Sequence, residues 1–271
     1  MKVKTTTNKK TKINKTTKRP TQKSKKIPKN KSIKARRAFA VMCLVILLLA
    51  IGGLILYSDI FNIKKITVIN NSKVSTQEII QNSQLTMETN MFKTLKSTIR
   101  KGIKSNPYVE NVKIKRKLDG EIILDIEERI PTFMLQYENN YIYINNQGYL
   151  LEVSEIPLPL LIIKGYSTEN LIPGKRMSTQ DLKKLDTIIQ IIEEAKNNGI
   201  KDIITSIDIS NDKNFILEIP SEKKTVQFGD KTNINVKILW IVKLISKEKN
   251  IEGEIMLNVP NIKKVYFREK V

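Results

Sequence analysis

The 271-residue chain carries 48 Lys and Arg against 27 Asp and Glu, one cysteine and no histidine. It therefore has no Ser-His-Asp or Cys-His arrangement and no imidazole metal site. Its ten glycines form neither a P-loop nor a G-x-G-x-x-G turn.

The net charge of +21 is concentrated at one end. Residues 1–37 hold sixteen basic side chains and no acidic one, whereas the rest of the chain holds 32 basic and 27 acidic, a net of +5. The first 37 residues are rich in Lys, Thr and Asn and nearly free of apolar side chains. They cannot bury enough surface to offset their ordering entropy, which predicts a disordered basic tail. Anionic lipid is the expected partner of this tail. No aromatic residue interleaves its basic ones, so a stacking platform is missing and no specific nucleic-acid binding is expected.

Ala38–Tyr57 follows, twenty residues without a charge, amide or proline. As a helix it is roughly 30 Å long, the thickness of a hydrocarbon core, with its backbone polar groups satisfied internally. Signal cleavage at Ala50-Ile51-Gly52 would leave the apolar Gly53–Tyr57 on the new end, and Met42 is too large for a lipid-anchor site at Cys43, so an uncleaved span is expected. Ten Lys/Arg lie in the twenty residues before it, and only Lys64, Lys65 and Lys73 in the twenty after. The positive-inside rule then puts the N-terminus in the cytoplasm and the chain beyond Tyr57 outside. That outer part holds no cysteine, so no disulfide supports it.

Within residues 58–130, Ile63–Asn71 reads as a strand with Ile66 and Val68 on one face. Ser75-Thr-Gln-Glu78 has capping-box spacing and opens a helix through Ile79, Ile80 and Leu85. Asn90 is expected to cap a second helix carrying Phe92, Leu95, Ile99 and Ile103, which Asn106-Pro107 ends. Val112 and Ile114 alternate on a strand, Asp119-Gly120 predicts a two-residue hairpin turn, and Ile122, Leu124 and Ile126 alternate on the return. The expected unit is β-α-α-β-β, a three-stranded sheet with two helices on one face.

The run PYVENVKIKRKLDG from Pro107, ending in IEERIP at Pro131, resembles a POTRA domain, in particular that of the bacterial FtsQ/DivIB cell-division family. The basic tail, single span and immediately following domain fit the same pattern. Asn70-Asn71 stands where the family often has Gly-Asn, and Asn tolerates the left-handed backbone such a turn needs. Tyr141–Leu151 reads as a hairpin and resembles the start of the family's β-domain, and Leu158–Gly165 its next strand. The fold class expected is α+β: a transmembrane helix at 38–57, a POTRA domain at 58–130, and a mixed β-domain with two helices at 131–271.

Farther along, Ser178 starts a helix with Leu182, Leu185, Ile188, Ile189, Ile192 and Ala195 on one stripe, and Gly199 is its expected C-terminal cap. Ile203–Ser210, Phe215–Pro220 and Thr225–Gly229 read as strands. Ile234–Ile245 is apolar almost all round; periodicity does not decide between helix and strand, and length favours helix. Trp240 within it reads as a packing residue. Glu254–Val259 and Lys263–Phe267 read as the last two strands.

The family resemblance implies a non-enzymatic division scaffold at the septum. Its partners would be FtsB/DivIC-like and FtsL-like bitopic proteins and, through them, the septal peptidoglycan synthase. It also implies a C-terminal edge strand to which a partner adds, with contacts near Val259 and Phe267 and with Tyr266 and Ile255 as neighbours. Met256-Leu257-Asn258 stands where relatives often show Asp-Leu-Arg. A core-filling role for Phe267 stays open beside this, because Tyr266 and Phe267 cannot both point inward. No cofactor or metal is expected. Two readings from other classes stay open: an envelope enzyme using distant carboxylates, and a tethered nucleic-acid binder acting through the tail. The adjacent pairs Glu127-Glu128 and Glu193-Glu194 are poor candidates for shared chemistry, the first pointing to opposite faces of a strand and the second lying on a solvated helix side.

Overall fold

The computed structural model describes residues 29–270. The apolar run lies in α1 (Lys29–Tyr57), of which Ile33–Tyr57 has a mean hydropathy of 3.0 and none of its apolar window buried. This is the only helix among the described residues long and apolar enough to cross a bilayer. Residues 29–37, assigned from composition to the disordered tail, are instead helical. The stretch KNKSIKARR contains neither Gly nor Pro, and nothing in it stops a helix propagating back from the apolar run. The rest of the tail assignment, residues 1–28, lies outside the described residues. The chain divides into two compact units, one through Leu54 and one from Ile55 onward.

The second unit opens with the expected β-α-α-β-β order: β1 (Lys65–Ile69), α2 (Thr76–Ser83), α3 (Lys96–Ile103), β2 (Val109–Arg116) and β3 (Glu121–Glu128). The central strand is β3, parallel to β1 and antiparallel to β2. Ser75 caps α2 by accepting the Glu78 N–H. The reciprocal half of the capping box does not form, because the Glu78 carboxylate accepts from Asn106 at 2.6 Å instead. Asn70 takes φ +63°, the left-handed turn expected after β1.

Two expectations need correction here. The second helix begins at Lys96, not after Asn90. The buried Asn90 side chain is taken up by the Ser58 carbonyl (3.1 Å) and the Phe92 N–H (2.9 Å), which holds residues 90–95 as a turn. The turn between β2 and β3 holds three residues, Leu118–Gly120, inside the closing pair Lys117 and Glu121, rather than two. Lys117 N–H donates to Glu121 O and Gly120 N–H to Lys117 O, at 2.8 and 3.2 Å, with Gly120 at φ +93°. A type I turn followed by a left-handed glycine gives this three-residue form.

The remainder forms one nine-stranded mixed sheet with two helices. Its elements are β4 (Phe133–Tyr137), β5 (Asn140–Ile144), β6 (Leu150–Ser154), β7 (Leu161–Lys164), α4 (Thr179–Asn197), β8 (Ser206–Asp208), β9 (Phe215–Ile219), β10 (Lys224–Gly229), α5 (Ile234–Lys247), β11 (Gly253–Met256) and β12 (Tyr266–Glu269). The strand order is β12-β11-β10-β9-β8-β7-β4-β5-β6. Ser178 caps α4 through the Asp181 N–H, and Gly199 follows its end at φ +73°. The undecided apolar stretch is helical: α5 buries Ile238, Ile241 and Leu244.

Both helices pack on one face of this sheet. Leu185, Ile188 and Ile191 of α4 and the α5 residues meet Ile163, Ile207, Leu217, Val226 and Ile255 in the larger core. At the β4–β6 end, Met134, Tyr143 and Leu151 join the core of the β-α-α-β-β unit instead. Polar contacts tie the same junction: Tyr108 donates to Glu152 at 2.7 Å, Lys73 pairs with Glu152 at 3.0 Å, and the Arg129 guanidinium lies 4.0 Å over the Tyr149 ring. Burial, and then the bond to Glu152, push the Tyr108 hydroxyl well above the usual tyrosine range. The β8–β12 end, on the face away from the helices, therefore stays uncovered by this packing.

Candidate partner-binding edge

Among the described residues the last strand, β12, pairs with β11 alone, in the register Gly253↔Glu269, Glu254↔Arg268, Ile255↔Phe267 and Met256↔Tyr266. Lys270 N–H donates to Glu252 O at 3.0 Å. Antiparallel alternation then turns the backbone groups of Tyr266 and Arg268 toward β11 as well, and leaves N–H and C=O of Phe267 and Glu269 aimed away from the sheet. Side chains alternate the other way: Phe267 lies on the helix-covered face with Ile255, and Tyr266 and Arg268 on the open one.

Of the four residues expected at this site, the structure places Tyr266 and Phe267 on the edge strand, sets Ile255 opposite Phe267 on the neighbouring strand, and leaves Val259 off the ladder. Tyr266 is 59% exposed. Phe267 is half-buried against the larger core. Ile255 is fully buried, so its side chain cannot touch a partner; it is the inward residue of the strand beside the edge. Val259 lies off the ladder, in the connection between β11 and β12, where it lines a cavity of about 520 Å³ with Lys237, Asn258 and Pro260. The expected last strand is also displaced: it runs from Tyr266 to Glu269, and Lys263–Val265 form part of the preceding turn. A period-two pattern tolerates a shift of two residues without changing which side chains face inward, which is why sequence alone misplaced the strand by about that much.

Two residues the sequence reading missed hold Phe267 in place. Lys224 is 3% exposed, and its ammonium donates to the carbonyls of Glu222 (3.1 Å), Glu248 (3.0 Å) and Ile251. It lies 5.2 Å from the Phe267 ring centre, so the aromatic covers a buried cation that, among the described residues, has no carboxylate within ion-pair distance. Gly253 sits beneath the same ring: a Cβ there would come within 2.4 Å of the Phe267 ring and 2.5 Å of the Arg268 carbonyl. One cue was available, since Lys224 shares the inward face with Val226 and Phe228 at period two.

On the open face a polar ladder crosses four strands' worth of sheet. Asn214 donates to Gln227 at 2.7 Å, Gln227 to Glu254 at 2.5 Å, and Arg268 lies 3.7 Å from Glu254. One carboxylate of each pair singled out from sequence has structural partners. Glu128 accepts the backbone N–H groups of Ser72 (3.1 Å), Lys73 (2.9 Å) and Val74 (2.9 Å), and Glu194 accepts from Asn198 at 3.0 Å. Among the described residues no group of three or more Asp, Glu or Cys side chains is arranged to hold a metal ion.

A POTRA domain of the FtsQ type matches residues 61–129, the β-α-α-β-β unit. The cell division protein DivIB of Clostridium acetobutylicum is 30% identical over 202 residues, covering 73% of this chain and 79% of that protein. The chain belongs to the FtsQ/DivIB family of cell-division proteins. DivIB of Clostridium tetani is 25% identical over 198 residues (71% of this chain, 73% of that protein), and the cell division protein FtsQ of Syntrophotalea carbinolica 23% over 169 residues (61% and 60%). Membership gives the chain a role in cell division, and α1 fits a membrane protein of that family. The FtsQ/DivIB resemblance read from Pro107–Pro131 thus falls where the family match lies.

Proposed function

We propose that the chain is a non-enzymatic, single-pass scaffold of the division septum that captures an extended segment of an FtsB/DivIC-like partner on β12, with an FtsL-like protein in the same complex and the septal peptidoglycan synthase reached through them. Residues 1–37 then face the cytoplasm against anionic lipid, 38–57 span the membrane, and the POTRA domain (58–130) and β-domain (131–271) lie outside. The ten-to-three charge asymmetry supports this orientation.

The observation that carries the reading is the free outer edge of β12. Backbone groups of Phe267 and Glu269 supply affinity to an added strand, and Tyr266 and Arg268 supply specificity on the open face. The strand is only four residues long and carries exposed Arg268 and Glu269. Short length and charge oppose indiscriminate edge pairing, so the edge accepts a segment that complements them. Contact at Tyr266 is the test. A photo-crosslinking residue there, in the full-length chain in dividing cells, is expected to yield an adduct with the FtsB/DivIC-like protein. The same residue at Val153, exposed on β6 at the opposite edge of the sheet, is expected to yield none. Equal labelling at both positions, or none at Tyr266, refutes the edge as the capture site.

A further inference from the structure

We propose that the end of the β-α-α-β-β unit at which the chain arrives from Tyr57 is a lipid-contact face, seated in the headgroup layer through Ile60, Leu95 and Leu118 and the lysines around them. The inference rests on α1 being a membrane span.

Strand directions create this face. Because β1 and β3 are parallel and β2 antiparallel to them, β1 and β3 begin and β2 ends at one end of the sheet. The segments around Ile60, Leu95 and Leu118 meet there. Lys64 N–H donates to Gly120 O and Met91 N–H to Phe61 O, each at 2.9 Å, and Arg116 donates to Thr94 O. Phe61 and Phe92 pack edge to face with centres 5.4 Å apart. The opposite end of β3 leads into the β-domain.

Exposure marks this end. Within residues 58–130 four large apolar side chains are more than half exposed: Ile130 (76%) lies where β3 leads into the β-domain, and Ile60 (69%), Leu95 (67%) and Leu118 (77%) all lie here. None contributes to either core. Covalent reach then names what covers them. Ile60 is three residues beyond Tyr57, the last residue of α1, so its Cα lies within about 11 Å of Tyr57. The interfacial layer on each side of a bilayer is roughly 5–8 Å deep, so a Tyr57 at the hydrocarbon boundary keeps Ile60 in or beside that layer. Lys93, on the segment that carries Leu95, has its ammonium 5.8 Å from the Tyr57 ring.

Charge points to anionic headgroups. Among the described residues, exposed Lys64, Lys93 and Lys96 have no carboxylate within ion-pair distance, whereas Lys65 and Lys117 share Glu121. Of the acidic groups at this end, Asp59 accepts from Asn62, Asp119 accepts from the Glu121 N–H, and Glu88 is exposed, its N–H donating to the Ile63 carbonyl at 2.9 Å. Apolar side chains dipping below unpaired lysines is the arrangement of interfacial protein segments. A span alone leaves the unit free to swing; a second contact with the same membrane fixes its tilt and so the position of β12.

Depth-dependent quenching on the full-length chain in vesicles of phosphatidylcholine with phosphatidylglycerol tests this. In a Cys43→Ser background, Leu118→Cys, Leu95→Cys and, as control, Ser221→Cys carry a bimane label, and the unsubstituted chain is labelled at Cys43. With lipids brominated near the headgroup end of the acyl chains, labels at 118 and 95 are expected to lose about half their emission, and the label at 221 none. Labels at 118 and 95 that behave like the one at 221, while Cys43 is quenched, overturn the proposal and leave the span intact. Failure of Cys43 to quench removes the span and the proposal together. Protection of 118 from aqueous iodide without bromine quenching means a second copy covers the face, and also overturns it.

Discussion

Replacing Phe267 by Ala separates the two jobs of the edge strand. The ring is half-buried against the larger core and covers the buried Lys224 ammonium. Truncation of a fully buried Phe costs about 3–5 kcal/mol, so a half-buried one costs about 2. Loss of the cation–ring contact adds roughly 0.5–1 kcal/mol. The sum, about 2–3 kcal/mol, lowers the melting temperature by roughly 5–10 °C in a unit of this size. Of the two roles left open for Phe267 by the sequence, partner contact and core filling, a loss of this size is the signature of the second. Tyr266→Ala makes the contrast: at 59% exposure it is expected to change stability by no more than about 0.5 kcal/mol. It is also expected to weaken capture of the partner by about thirtyfold, the effect of removing an interface anchor worth about 2 kcal/mol. Both variants are read in detergent-solubilised full-length protein, by circular dichroism on heating and by partner titration. An unchanged melting temperature for Phe267→Ala, or a large loss of stability for Tyr266→Ala, refutes the assignment of faces.

Gly253→Ala drives a methyl into the Phe267 ring and the Arg268 carbonyl, and is expected to cost about 1–3 kcal/mol by overpacking, seen as a lower melting temperature and faster amide exchange in β12. Glu128→Ala strips the acceptor from three backbone N–H groups at residues 72–74 and is expected to destabilise by about 2 kcal/mol or more, measured by urea unfolding. Hydrogen bonds from Lys117 (2.5 Å) and then Thr67 (2.6 Å) hold the Glu121 carboxyl at about 2. A carboxyl depressed in the folded state stabilises fully above its unfolded value of 4.5 and loses that contribution as pH falls toward about 2. Glu121→Gln is therefore expected to flatten the acid limb of the melting-temperature profile across that window, and an unchanged slope contradicts the assignment.

Much of the architecture was legible because short-range chemistry writes it locally. The apolar run declared α1, Ser75 and Ser178 declared helix starts, and alternation over Val112–Ile126 declared a hairpin. Local signals failed where another hydrogen bond, distant or close by, claimed the same groups. Asn90 had every mark of a helix cap, yet the Ser58 carbonyl claims its amide. Asp119-Gly120 looked like a two-residue turn until the bonds between Lys117 and Gly120 and between Lys117 and Glu121 fixed a longer one.

The candidate site depended on tertiary structure more than the fold did. Sequence alone determined that a short alternating strand lies near the C-terminus and that Tyr266 and Phe267 face opposite ways, because a strand sends neighbours to opposite sides whatever surrounds it. Which of the two faces the core was decided by where α5 and Lys224 lie, and that β12 is an edge was decided by strand order. Strand order is set by long-range pairing: β11 takes the place between β10 and β12, parallel to one and antiparallel to the other, through contacts that no local stretch of sequence encodes.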